Sequence, residues 1–338
     1  MRIVALVFGL CLPAVVPSFG QERDTLSHTS IKSYSDYFFI WPVLKQRSLN
    51  FGIRDRGDNR IIGYKPNNAY TLGVGAHVFD LSLEFTFAVP IREKNPSIFG
   101  HSRVRDFQIN ALGRSWGADL FVQRYSGFYS DNAKIPGFYS YLVRPDMAAR
   151  NVGITGTYVF QPNRYSLRSA FAFSERQLVS GGSPLLSGTL NGFKVVGDSA
   201  LFDVGDGATD NGVRKLRYTT LSLAPGYAYT FVRGHFFASG ALTAGPAHNW
   251  VYHMDEDGRA LHDIRFDVFA SVRVGAGYST DTFFAGFNFS QQSRTVRFDD
   301  LRFTNNTSTF RLLFGFRFRE FGILKKSAAD LPRELLLL

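Results

Sequence analysis

The sequence predicts an all-β protein, an up-and-down antiparallel transmembrane β-barrel of about 12–14 strands. Three observations carry the prediction. Period-two alternation recurs along the chain in runs long enough to cross a bilayer, the composition favours strands and turns, and an N-terminal leader directs the chain out of the cytoplasm. In 338 residues stand 32 glycines, 34 phenylalanines and 15 tyrosines against 3 methionines. That is a chain of strands, tight turns and aromatics rather than of packed helices.

Residues 1–20 read as a signal peptide. Arg2 supplies the positive end, residues 3–16 form an apolar run short for a bilayer, and Ser18 and Gly20 occupy the small positions before a cut. The mature chain is expected to begin at Gln21. Residues 21–33 would lead into a barrel over 34–321, and 322–338, interrupted by Pro332, would form a flexible tail. Cys11 is the only cysteine and lies in the leader. The mature chain then has no disulfide, thiolate metal site or cysteine nucleophile.

The strands follow from alternation. In "LSLEFTFAV", Leu81, Leu83, Phe85, Phe87 and Val89 share one face; in "DFQINA", Phe107, Ile109 and Ala111 oppose Asp106, Gln108 and Asn110. From 264 to 278 the even positions are all apolar, a run well beyond the usual five or six residues of a strand. Further strands are expected over 37–53, 70–79, 118–125, 152–160, 165–175, 185–195, 216–231, 236–244 and 283–291. The last, "FRLLFGFRFREFG", threads Arg311, Arg317 and Arg319 between phenylalanines. A tilted strand needs about nine to eleven residues to cross the hydrocarbon layer, and these runs supply them.

Short polar turns are expected at Asp80, Ser115, Pro162, Gly234 and Asp281, and long loops over 129–150, 196–215 and 249–263. Pro225 marks an expected bulge or bend. Between Glu175 and His235 the alternation of short and long connections loses parity, so one strand there is missed or invented.

A two-faced strand fits a soluble barrel as well as a membrane one. The leader, the spanning length, the small residues on the polar faces and aromatics near strand ends favour the outer membrane. Trp41, Trp116, Trp250, Tyr125, Phe128 and Tyr129 are the expected aromatic girdle. The partners so implied are outer-membrane lipid and lipopolysaccharide, with the barrel-assembly machinery during biogenesis. The net charge of +10 comes from arginines scattered singly through strands, a pattern that argues against nucleic acid.

The segments "YKPNNAYTLGVGA", "GADLFVQRYSGFY", "RPDMAARNVGITGTYVF", "NRYSLRSAFAFSERQ" and "GYAYTFV" resemble, in order, the motifs of an uncharacterised family of bacterial outer-membrane barrels, the domain-of-unknown-function family numbered forty-four twenty-one. The resemblance spans roughly residues 34–321 and implies a cell-envelope β-barrel. It brings no activity and no catalytic residue. The residues after Phe321 depart from barrels that end on an aromatic of the last strand.

Candidate chemistry centres on interior charge. Parity places Arg168, Arg265, Arg273, Arg311, Arg317 and Arg319 in the lumen, opposed by Glu84, Asp106, Asp119 and Asp267. The modest positive excess suits a conduit or binding lumen for a small anionic solute. Mutual pairing that fills the lumen is the alternative, leaving a structural or partner-binding barrel that acts through its loops. A lipid-modifying enzyme stands third, but His101 with Ser102 and His77 with Ser82 lack a nucleophile context. Asp203, Asp206 and Asp210, like Asp255, Glu256 and Asp257, lack calcium-loop spacing and read as turn formers. "TLGVGAHVF" lacks the third glycine and following helix of a nucleotide loop. No cofactor, metal site or catalytic constellation is expected.

Overall fold

The computed structural model describes residues 30–35, 37–55, 61–78, 81–89, 94–130, 141–201 and 212–319. The leader, most of the lead-in, the tail 322–338, Asp80 and the carboxylates Asp203, Asp206 and Asp210 lie outside the described residues. In chain order the elements are β1 (Ile31–Ser33), β2 (Tyr37–Asp55), β3 (Ile61–Tyr64), β4 (Thr71–Val78), β5 (Leu81–Ala88), α1 (Pro96–Phe99), β6 (Arg103–Leu112), β7 (Trp116–Ser130) and β8 (Leu142–Val159). There follow α2 (Leu167–Phe171), β9 (Glu175–Gln177), β10 (Gly181–Val196), β11 (Lys215–Arg233), β12 (Phe236–Met254), β13 (Ala260–Ser279), β14 (Phe283–Phe298) and β15 (Leu301–Arg319).

Twelve of these strands form one antiparallel up-and-down sheet in the order β5-β4-β2-β15-β14-β13-β12-β11-β10-β8-β7-β6, with β3 added beside β2. First and last wall strands pair directly, from Leu301 opposite Asp55 to Arg319 opposite Tyr37. Among the described residues no ladder joins β5 to β6. The ring is instead stitched at the long-loop rim, where Lys65 and Tyr129 exchange two backbone hydrogen bonds of 2.9 Å. The wall is therefore closed at that rim and carries an unpaired seam below it.

Alternation forecasts the wall well, and fails where a strand was expected over 165–175. That segment is α2 and β9. The Ser166 side chain accepts from the Ser169 amide as an N-cap, and Leu167, Ala170 and Phe171 lie on one helical face, buried against Val159 and Leu185. Removing this strand restores the parity lost between Glu175 and His235. Parts of two expected loops are strand: β8 already begins at Leu142, and β12 runs to Met254 before β13 starts at Ala260. Pro145 needs no ladder bond. It lies beside the bulge at Ser126 and Phe128, where Gly127 takes φ 77°. Pro225 makes no bulge. The β11–β12 ladder lapses between Ser222 and Gly226, opposite Pro246, and resumes in the same register.

The exposed faces separate the two environments that periodicity left open. Leu221, Leu223, Phe266, Val268, Phe314 and Phe85 point outward and exposed, whereas Gln123, Asn151, Thr189, Asn191, Thr220 and Asn305 are buried inside. A soluble barrel would reverse this. Toward the long-loop rim the pattern does reverse. Phe51, Phe193, Tyr218 and Phe303 pack inside with ring centroids 5.2–6.4 Å apart, and Arg302 faces out. The expected girdle accordingly holds at two of its six positions. Trp116 and Trp250 are outward and exposed, but Trp41 and Tyr125 are buried inside by lumen parity, Phe128 is brought inside by the bulge before it, and Tyr129 is buried against Phe99 and Tyr141. At the other rim α2 and its flanks fill the interior beside Phe173, Phe237 and Phe284.

Candidate functional site

The lumen keeps one sizeable cavity among the described residues, about 550 Å³, between the aromatic layer and α2. Its size suits a small molecule. Strand parity builds most of the wall: Trp41, Lys45 and Arg47 from β2, Glu84 from β5, Arg273 from β13 and Arg311 from β15. Gly75 makes room for Trp41, since a Cβ there would land inside the indole. Along β6 the lining residues are consecutive, from Phe107 to Leu112, rather than every second one. A paired strand hides its alternate residues on the far face; this strand has a free edge, and the cavity wraps around it.

Ion pairs order the interior. Arg311 and Lys45 both bind Glu84, Lys45 at 3.3 Å, and the Trp41 indole donates to the same carboxylate at 3.3 Å. Arg47 pairs with Asp106, which also accepts from Gln123 at 2.9 Å and Tyr125 at 3.1 Å. Arg273 pairs with Asp119. Arg168 belongs to α2 rather than to a strand, and it reaches the Leu112 carbonyl at 2.7 Å and Glu175 at 3.6 Å. The cavity lining thus holds five cations, Lys45, Arg47, Arg168, Arg273 and Arg311, and two carboxylates, Glu84 and Asp119.

The other expected lumen charges go elsewhere. Arg265 is exposed and pairs with Asp263. Asp267 is buried and accepts from Arg297 Nε at 2.6 Å. Arg317 is buried at the short-turn rim, donating to the Phe173 carbonyl at 2.5 Å and the Ser279 hydroxyl at 3.2 Å, over the rings of Tyr34 and Phe284. Arg319 is exposed at the last residue of β15, where correct parity no longer has a lumen to face. Sequence reasoning missed Lys45 and Arg47, although they continue the parity of Trp41 and Val43. It also missed Arg294, fully buried between Phe121 and Phe269 with one hydrogen bond, to Gln292 at 2.6 Å.

Two of the nucleophile candidates, Ser102 and His77, are committed to structure. The Ser102 hydroxyl accepts from the Asn67 amide and donates to the Gly127 carbonyl, both at 2.7 Å, and the His77 ring is buried and stacked on Phe39 at 4.8 Å. Asp255 accepts from the Arg259 amide at 2.7 Å and Glu256 from the Ala200 amide at 2.8 Å.

Beneath the barrel, β1 pairs with β9 as a strap across the plug. Asp281, in the turn after β13, anchors it to Lys32 at 2.8 Å and accepts from the Tyr34 hydroxyl at 2.9 Å. The Lys32 hydrogen bond leads in holding the Asp281 carboxyl below its ordinary range. Burial leads in pushing the Tyr34 hydroxyl up to about 12.

Among known proteins, the family model described as a domain of unknown function, DUF4421, matches residues 22–318. No curated protein matches. The fold is similar to the outer membrane protease OmpT from Escherichia coli, at 12% identity and a TM-score of 0.41, covering 87% of this chain and 99% of that one. It is also similar to Ail, the attachment invasion locus protein of Yersinia pestis, at 12% identity and a TM-score of 0.21, covering 60% and 97%. A third is the P. putida toluene transporter TodX, at 9% and 0.20, covering 84% and 91%.

Proposed function

The chain belongs to the family described as a domain of unknown function, DUF4421, and from that premise we propose that it is a non-conducting outer-membrane barrel binding a small anionic solute in its lumen. One observation carries the reading: five cations line the cavity against four carboxylates that pair with them, Glu84 and Asp119 in the lining and Asp106 and Glu175 behind it on Arg47 and Arg168. In a low-dielectric wall the one cation in excess biases the space between the side chains toward positive potential. The aromatic layer at one rim and α2 at the other support binding over conduction. The apolar band supports the membrane, and the rim of short turns is assigned to the periplasmic side. Phe85, Phe107 and Ile109 line the cavity at the seam, so the solute would carry an apolar part beside its charge.

The test uses the full barrel in planar bilayers and in vesicles. The expected result is electrical silence from folded protein together with saturable binding of a short-chain carboxylate that weakens in Arg311→Gln. Discrete single-channel currents with anion preference would restore the conduit; silence without carboxylate binding would leave a structural barrel.

A further inference from the structure

The arginines that look scattered in the sequence are gathered by strand register. Arg105 on β6 lies opposite Arg124 on β7. Arg124 lies opposite Arg150 on β8, Arg150 opposite Lys194 on β10, and Lys194 opposite Arg217 on β11. Five cations therefore stand side by side across five consecutive wall strands, a line of about 19 Å at the usual strand spacing. All five are exposed, and their parity is that of the outward face. Among the described residues none of the five makes an ion pair.

Among the described residues the neighbouring rows offer no relief. On the long-loop side the same face continues with Arg103, Ser126, Ala148, Val196 and Lys215; on the other side it continues with Phe107, Val122, Val152, Gly192 and Thr219. Neither row contains a carboxylate. Farther along β8, Asp146 is held by Arg144 at 2.8 Å. Arg217 and Lys215 both lie over the Tyr252 ring, 5.1 and 5.3 Å from its centroid. Like charges directly opposite one another across strands are destabilising. This barrel sets four such contacts end to end, at the border of its apolar band.

We propose that this stripe is a binding site for the phosphate groups of a phosphorylated lipid in the outer leaflet. A membrane surface rich in lipid phosphates lies at the border where the apolar band ends, and bidentate guanidinium groups match phosphate oxygens. The lipid supplies the negative charge that the protein omits. The inference rests on the membrane reading but not on the lumen cavity, because the stripe is on the opposite face of the wall.

The test compares the full-length barrel with Arg124→Gln/Arg150→Gln/Lys194→Gln. Both are placed in phosphatidylcholine vesicles without and with bisphosphorylated lipid A, and insertion is read separately by vesicle flotation. Three lost cations, at about fivefold each near an anionic surface, should weaken lipid A binding roughly a hundredfold. The binding of the parent should fall with salt, and in phosphatidylcholine alone the triple variant should melt higher than the parent because the repulsion is gone.

Equal lipid A binding by parent and variant would overturn the proposal, as would a variant that melts no higher in phosphatidylcholine. Inorganic phosphate or an oligonucleotide that raises the melting temperature as much as lipid A would replace the lipid with a soluble anion. Flotation without any lipid preference would keep the membrane reading and refute the stripe.

Discussion

Glu84 is the carboxylate on which two interior cations depend, and Glu84→Gln tests that arrangement. Its side chain is 13% exposed, as is that of Lys45, and Arg311 is 16% exposed. At 3.3 Å the Lys45 pair is worth about 5 kcal/mol before desolvation, with an effective dielectric near 20. Removing one partner of a buried pair typically costs about 3–5 kcal/mol, because the other charge is stranded. Here the cavity lets the freed ammonium and guanidinium draw in water, so the expected loss is about 2–4 kcal/mol. Urea unfolding in vesicles, followed by tryptophan fluorescence, measures it. Lys45→Met in the same chain should return part of the loss, since one stranded cation is then gone. A short-chain carboxylate should stabilise Glu84→Gln more than the parent, because bound ligand stabilises the folded state in proportion to its affinity. An unfolding free energy unchanged within about 0.5 kcal/mol, the range of a neutral surface change, would refute the argument.

Arg317→Gln should cost about 2–3 kcal/mol by leaving buried carbonyls without donors, while Arg319→Gln, at the exposed strand end, should be neutral; chemical denaturation distinguishes them. Arginine at Val268 or Phe314 should cost about 2–4 kcal/mol each and impair assembly, read as the folded fraction on a heat-modifiability gel. The strap should loosen in acid. Asp281 is held below its ordinary range, so its contribution is complete above the unfolded carboxylate pKa and is lost as pH falls through the lower folded value. Hydrogen exchange at Ile31–Ser33 should accelerate only in that acidic window, and Asp281→Asn should bring the acceleration to neutral pH.

Alternation alone was enough for the wall. The lower half of β15 is local information: Leu312, Phe314, Phe316 and Phe318 face out and Arg311 and Arg317 face in, as period two requires. The same rule fails over 165–175, because a short amphipathic helix and a short strand share apolar residues and only packing against Val159 and Leu185 separates them. It was misapplied to Trp41, whose interior parity was overridden by an expectation about girdles.

The class, the antiparallel wall and the side of most residues are therefore local information, since each follows from neighbours two positions apart. Who meets whom across strands is a property of the assembled fold. Whether Arg311 faces an acid depends on Glu84, far away in the chain, and whether five scattered cations form a stripe depends on four separate registers. Register is set by the whole ring closing at once, so no local window of the chain contains it.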